Sequence, residues 1–404
     1  MSDVQPSSSS SFERNGGPTP CIPEYSGANV CGIIPGLLGG ADVPDWMPSA
    51  VADASAVVVL VLDGLGWRQL EERAAVAPVL NSFVGGPIST VAPSTTATAL
   101  SSIATGLTPA EHGILGYRML MRGAVTNMLR WATDEGVRRH DVSPHELQPA
   151  RAFCGQRVPY VTSQELIGSS FSDAHLFGGI AHGYRALSSL PVVVSELVKN
   201  GAKFVHAYYP GIDKIAHERG FGEFYDAELA CADRMVDDML DRLPRDTVVL
   251  VTADHGQVEV GDRLLYPSDD VLRLLELQSG EGRMRWMHAR PGAEEELFEA
   301  ACEEFGDVAW VRRRSEVIEE GWFGPHFPAP MSGRLGDVVI APFAPVSLFE
   351  EADSGPFNLI CRHGSLTEDE VLVPLIAGEG REVNFCDRSP GRAKLVLSER
   401  TKPV

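Results

Sequence analysis

The sequence lacks any long apolar run. Its longest uninterrupted stretches, such as "AVVVLVL" (56–62), are the length of a strand and far short of the ~20 residues needed to cross a bilayer. Basic runs are missing too. Lys and Arg number 34 against 55 Asp and Glu, for a net charge of −21. Nonspecific nucleic-acid binding relies on a basic surface, so that class is excluded. The seven cysteines are scattered and include no CxxC pair, which fits reduced thiols rather than a disulfide framework. The first residues, "MSDVQPSSSSSFERNGG", have no apolar core of the kind an export signal carries. Together these point to a cytoplasmic protein. Residues 1–18 read as a disordered tail.

What is present is a set of short β-branched runs that end in acidic or histidine-bearing turns. "SAVVVLVLDGLGW" ends in Asp63, "GAKFVHAYYPGIDKIAH" in Asp213 and His217, and "RDTVVLVTADHG" in Asp254 and His255. Continuous apolar runs suit strands buried on both faces, as in parallel sheets. Helical patterns lie between them, such as 223–243, where apolar residues recur at helical spacing among acidic ones. The alternation predicts a doubly wound α/β core with a mostly parallel sheet flanked by helices, over 19–265 and 335–395. Residues 266–334 read as a small inserted α/β cap, and the strand within 333–345 is expected to return to the core. Ligands of such sheets bind beyond the carboxyl ends of the strands, where these polar residues fall.

Each candidate is ordinary by itself. Asp63 before Gly64 reads as a turn residue. Asp213 and His217 are one helical turn apart, a spacing common on surfaces. "TADHG" is harder to explain by packing, because Asp and His directly follow a buried strand. His363 in "CRHGSL" can be a core histidine. As a set, three aspartates, three histidines and a threonine cluster ("PSTTAT", 93–98) at strand ends suit divalent metal ions such as zinc. They suffice for two ions, an arrangement used in phosphoryl transfer. A rival class is a metal-binding protein without turnover.

In this order, Asp63, the threonine cluster, "TGLTPAEHGI", Asp213 and His217, "DHG" and His363 resemble the alkaline phosphatase superfamily, within it the type I phosphodiesterase/nucleotide pyrophosphatase family. The resemblance runs over about 55–375. It implies a phosphodiester or nucleotide substrate and two zinc ions, one held by Asp213, His217 and His363, the other by Asp63, Thr96, Asp254 and His255. It implies Thr96 as nucleophile, ten residues before Gly106, with Thr95 one residue out of register. Thr96 is also placed in the first turn of a helix entered through Pro93 and Ser94, where backbone N–H groups favour an anion. Thr98, Ser101, Ser102 and Thr105 suit close helix packing, and His112, His182, His206, His288 and His326 are read as structural, with His182 possible near the pocket.

The chain departs from the family at Tyr117, where an asparagine is common. Tyr117 can donate one hydrogen bond to a phosphate, and Arg118 can pair with it bidentately; both can equally be packing or surface residues. "CIPEY" (21–25) lacks the arginine of a sulfatase motif, and a phosphoglycerate mutase would use serine. A phosphomonoesterase or a phosphonate hydrolase remains an alternative on the same site.

Overall fold

The computed structural model describes residues 17–137, 141–354 and 359–383. The expected tail therefore lies outside the described residues up to residue 16. Pro18 is tied down, its carbonyl accepting from the Trp310 indole at 2.6 Å.

Seven strands form the central sheet: β1 (Ala56–Leu62), β2 (Val84–Ser89), β3 (Pro159–Ser163), β4 (Ile180–Tyr184), β5 (Phe204–Tyr209), β6 (Thr247–Thr252) and β7 (Leu372–Glu379). Their spatial order is β2-β7-β6-β1-β5-β3-β4. β1 pairs in parallel with β5 and β6, and β3 with β4 and β5. β7 alone runs against its neighbours β6 and β2. Every residue of β1 and of β6 is buried, as their unbroken apolar runs require of strands covered on both faces. Burying each such side chain stabilises by roughly 1.5–3 kcal/mol, so these two strands anchor the sheet.

Three helices matter for the site: α1 (Thr96–Thr105), α2 (Gly211–Arg219) and α3 (Glu223–Arg242). The apolar stripe of α3 (Tyr225, Leu229, Ala232, Val236, Met239) enters the main core; of its acidic residues, Asp233 and Asp241 are buried as well, Asp233 accepting from Leu80 N–H at 2.8 Å.

A second sheet joins Leu275–Glu281, Met284–Ala289, Val338–Pro342 and Ala309–Arg313 in that order. The strand expected to return to the core at 333–345 is instead Val338–Pro342, an inner strand of this smaller sheet. The sheet is apolar on both faces. Val338 and Ile340 join Leu297, Ala301 and Phe305 of the helix Glu294–Phe305 in a separate small core, whereas Val339 and Ala341 face the main one. A three-stranded meander (Arg118–Met121, Ala124–Asn127, Ala132–Thr133) lies beyond α1 in sequence.

Candidate active site

The parallel strands deliver their loops to one edge. Asp63 follows β1 directly, and its N–H donates to Tyr209 O at 3.0 Å, the last rung between β1 and β5. Asp254 and His255 follow β6 by two and three residues. α2 starts just after β5, and Asp213 N–H leans on Asp63 O at 3.1 Å. Because β7 is antiparallel, the loop that leads into it, carrying His363, arrives at the same edge.

The side chains meet there. Oxygen or nitrogen atoms of Asp213, His217 and His363 lie within 4.8 Å of one another, as do those of Asp63, Asp213 and His255. Asp213 thus belongs to both groups. His217 Nε2 is 3.2 Å from Asp213 Oδ1, and His255 Nε2 is 3.5 Å from Asp63 Oδ1 and 3.4 Å from Asp254 Oδ2. His255 and His363 stack, with centroids 3.5 Å apart. Thr96 opens α1 and places its Oγ1 3.2 Å from His255 Nε2. The Thr95 hydroxyl does not cap this helix; it donates to Glu281 at 3.2 Å.

All three histidines are oriented alike. His217, His255 and His363 contact the carbonyls of Cys361, Gly256 and Ser94 through Nδ1, at 2.7, 3.0 and 2.9 Å. A carbonyl only accepts, so each Nδ1 carries the proton and each Nε2 turns a lone pair to the cluster. The carboxylates are equally unbalanced. Asp63 Oδ1 and Asp254 Oδ2 are buried with no hydrogen-bond partner. Burial, and then the charges of Asp254 and Asp213, hold the Asp63 carboxyl well above its usual range, a rise that the Tyr208 hydroxyl offsets in part. Burial likewise raises Asp254. Burial first, then His255 and His217, holds His363 well below its usual range. Crowded carboxylates beside inward lone pairs are a donor set that fits divalent cations.

Of the other expected residues, Tyr117 lines the cavity of about 300 Å³ that opens on Thr96, Asp213, His217 and His363. Arg118 does not. Its guanidinium is fully buried and held by Asp134, Glu350 and Asp353, at 2.5, 2.7 and 2.6 Å. It ties the meander to the segment around 350, and no donor remains for a phosphate. His112 is structural: Nδ1 accepts from Ile114 N at 3.1 Å and Nε2 meets Ser102 Oγ at 2.9 Å. Ser101 and Thr105 return their hydroxyls to carbonyls of their own helix at 2.7 and 2.6 Å, which lets α1 pack closely. His182 stands on β4, at the edge of the sheet.

Sequence reasoning missed four residues. Tyr208 donates to Asp63, and Gln257 donates to Asp213 Oδ1 at 2.9 Å. Tyr208 sits within a quoted motif and Gln257 directly follows one, so proximity was a usable signal. Glu281 and Arg362 line the cavity. Arg362 adjoins His363, whereas nothing local marks Glu281.

A mostly parallel sheet that gathers aspartates, histidines and a helix-opening hydroxyl at its carboxyl edge defines a metal-dependent α/β hydrolase of phosphoric esters. The chain belongs to the type I phosphodiesterase / nucleotide pyrophosphatase family, whose model matches residues 57–365. Among solved structures, murine ectonucleotide pyrophosphatase / phosphodiesterase 5 is similar at a TM-score of 0.60, with 14% identity over 81% of this chain and 88% of that one. An inactive threonine-to-alanine variant of the murine protein, solved with AMP, aligns equally well, at a TM-score of 0.60 with 13% identity over 81% of this chain and 88% of that one. Phosphonoacetate hydrolase from Sinorhizobium meliloti 1021, in complex with phosphonoformate, has a TM-score of 0.59, with 18% identity over 82% and 91%. No curated protein matches the sequence. Among the described residues, no helix is long and apolar enough to cross a membrane.

Proposed function

We propose that the chain is a phosphodiesterase/nucleotide pyrophosphatase-type hydrolase that uses Thr96 as nucleophile and two divalent ions, zinc by the nitrogen-and-carboxylate character of the donors. The observation that carries this reading is the convergence of three Nε2 lone pairs and two unpartnered carboxylate oxygens beside Thr96 Oγ1. Asp213, His217 and His363 would hold one ion; Asp63, Thr96, Asp254 and His255 the other. When bound, the ions lower the hydroxyl pKa and neutralise charge on the phosphoryl and leaving oxygens.

The chain's own residues do the rest. Thr96 Oγ1 forms a bond to phosphorus as the bond to the leaving oxygen breaks, and the hydroxyl proton is balanced by protonation of that oxygen. Water then cleaves the phospho-threonine, restoring the hydroxyl and releasing a phosphomonoester. Without a side-chain cap on α1, the first-turn N–H groups are free to receive a phosphoryl oxygen. Tyr117 lies in the same cavity and offers one neutral hydrogen bond, suited to a singly charged diester. The scattered cysteines, with no CxxC pair, would suit the reducing conditions of a cytoplasm.

The test is turnover of an aryl phosphodiester by metal-loaded protein, with mass-spectrometric capture of a phosphorylated peptide containing Thr96. The diester should give a higher kcat/KM than the matching monoester. A captured phosphoryl group elsewhere overturns the nucleophile. The likeness to phosphonoacetate hydrolase favours one second reading, a phosphonate hydrolase, which release of phosphate from a phosphonate would support.

A further inference from the structure

Arg362 ends the short strand Cys361–Arg362 and directly precedes His363. It is 7% exposed. The other buried arginines, Arg118, Arg283, Arg285 and Arg312, each hold at least one carboxylate. Arg362 holds none among the described residues, and its Nε is buried with no hydrogen-bond partner. A guanidinium stays charged at any physiological pH, so an unpaired one in the interior is costly to keep. Its surroundings say what compensates. Arg362 lines the same cavity as Thr96, Asp213, His217 and His363, and the exposed Arg130 lines it as well. Gly282 leaves room for the guanidinium, since an added Cβ would sit 3.3 Å from its Nη1. Glu281 also lines the cavity, but no ion pair joins it to Arg362; its carboxyl is bonded to Thr95, and burial holds it well above the usual range.

We infer that Arg362 is a specificity residue. It binds a second oxyanion, carboxylate or phosphoryl, that the substrate carries beside the phosphoryl group to be cleaved, with Arg130 adding positive charge in the same cavity. The planar fork of N–H groups matches two oxygens of either group, and the chain's net acidity gives an anion no long-range attraction. This rests on the hydrolase reading above.

The test is titration calorimetry on the metal-loaded full chain with three probes. Methylphosphonate has no second anion, phosphonoacetate adds a carboxylate, and inorganic pyrophosphate adds a phosphoryl group; metal content is checked after each run. Wild type should bind at least one two-anion probe more tightly than methylphosphonate, and the tighter one identifies the second group. Arg362→Met should shrink that preference by ~10- to 100-fold, the range for a hydrogen bond to a charged group. Arg362→Lys should restore part of it. Arg362→Met should not lower the Tm of ligand-free protein, whereas Arg283→Met, which breaks the fully buried pair with Glu370, should. An unchanged preference in Arg362→Met, or a Tm loss as large as that of Arg283→Met, overturns the inference. Failure to hydrolyse bis(p-nitrophenyl) phosphate would instead sink the hydrolase reading and leave these titrations readable.

Discussion

His217 and His363 point their Nε2 atoms at each other across 3.3 Å, while each holds a main-chain carbonyl through Nδ1. With the protons committed to the carbonyls, two lone pairs face one another, an arrangement that repels unless a cation lies beside both. Purified protein should therefore carry about two transition-metal ions per chain. His363→Ala should lose one of them preferentially. Metal should also raise the Tm of stripped protein, by an amount equivalent to ~2.7 kcal/mol at 100 times its Kd. Elemental analysis and a thermal melt check both, and EDTA-treated protein with full activity would contradict the reading.

Thr96 and Thr95 are neighbours with different company. Thr96 Oγ1 faces His255, and Thr95 Oγ1 faces Glu281. Thr96→Ala should lower kcat by at least ~10³-fold, as loss of a nucleophile does elsewhere, while keeping the fold and most of the metal. Thr95→Ala should cost less than about tenfold, because it removes one hydrogen bond. Steady-state kinetics on an aryl diester separates the two, and the reverse order would move the nucleophile by one residue.

Arg118 should behave as a structural anchor. Arg118→Met strands Asp134 and leaves Glu350 and Asp353 to Arg285 alone, and should destabilise the fold by roughly 3 kcal/mol in urea unfolding. The ratio of diester to monoester turnover should not change. A lost diester preference with intact stability would return Arg118 to the phosphate site.

Acid should destabilise the protein through histidines that are buried neutral. Burial, then His175, lowers His206 to about 3, and its Nδ1 has no hydrogen-bond partner. An unfolded histidine titrates near 6.5. As the pH falls below that value, the unfolded chain binds a proton that the folded chain refuses, and stability drops until about pH 3. Between pH 7 and 5 this one residue should cost ~2 kcal/mol. His206 already packs against the Phe153 ring, so His206→Phe should fit and reduce the loss by about that amount. Urea unfolding of EDTA-treated protein at both pH values measures it, and equal losses in the two proteins would reject the assignment.

Most of the proposed ligands were legible because they are tied to a local pattern. A buried parallel strand is an unbroken β-branched run, and its end is marked by the first polar residues, so Asp63, Asp254 and His255 could be placed at one edge before any contact was known. Asp213 and His217 needed only a helical turn, whereas the choice of Thr96 within its cluster, and of His363, came from the resemblance to the family. The sequence by itself thus determined the three central parallel strands and the residues gathered at their carboxyl edge. Tertiary structure decided what depends on distant partners. Whether Arg118 or Arg362 meets a phosphate turns on which one finds carboxylates, and those of Arg118 come from Asp134, Glu350 and Asp353. The run at 338–342 is equally apolar in either sheet, and only its pairing with Arg285–Met287 and Ala309–Arg313 places it in the smaller one. Glu281 reaches the cavity through that same sheet. Pairing and charge neutralisation are non-local energies, summed over residues far apart in the chain, and local spacing carries no record of them.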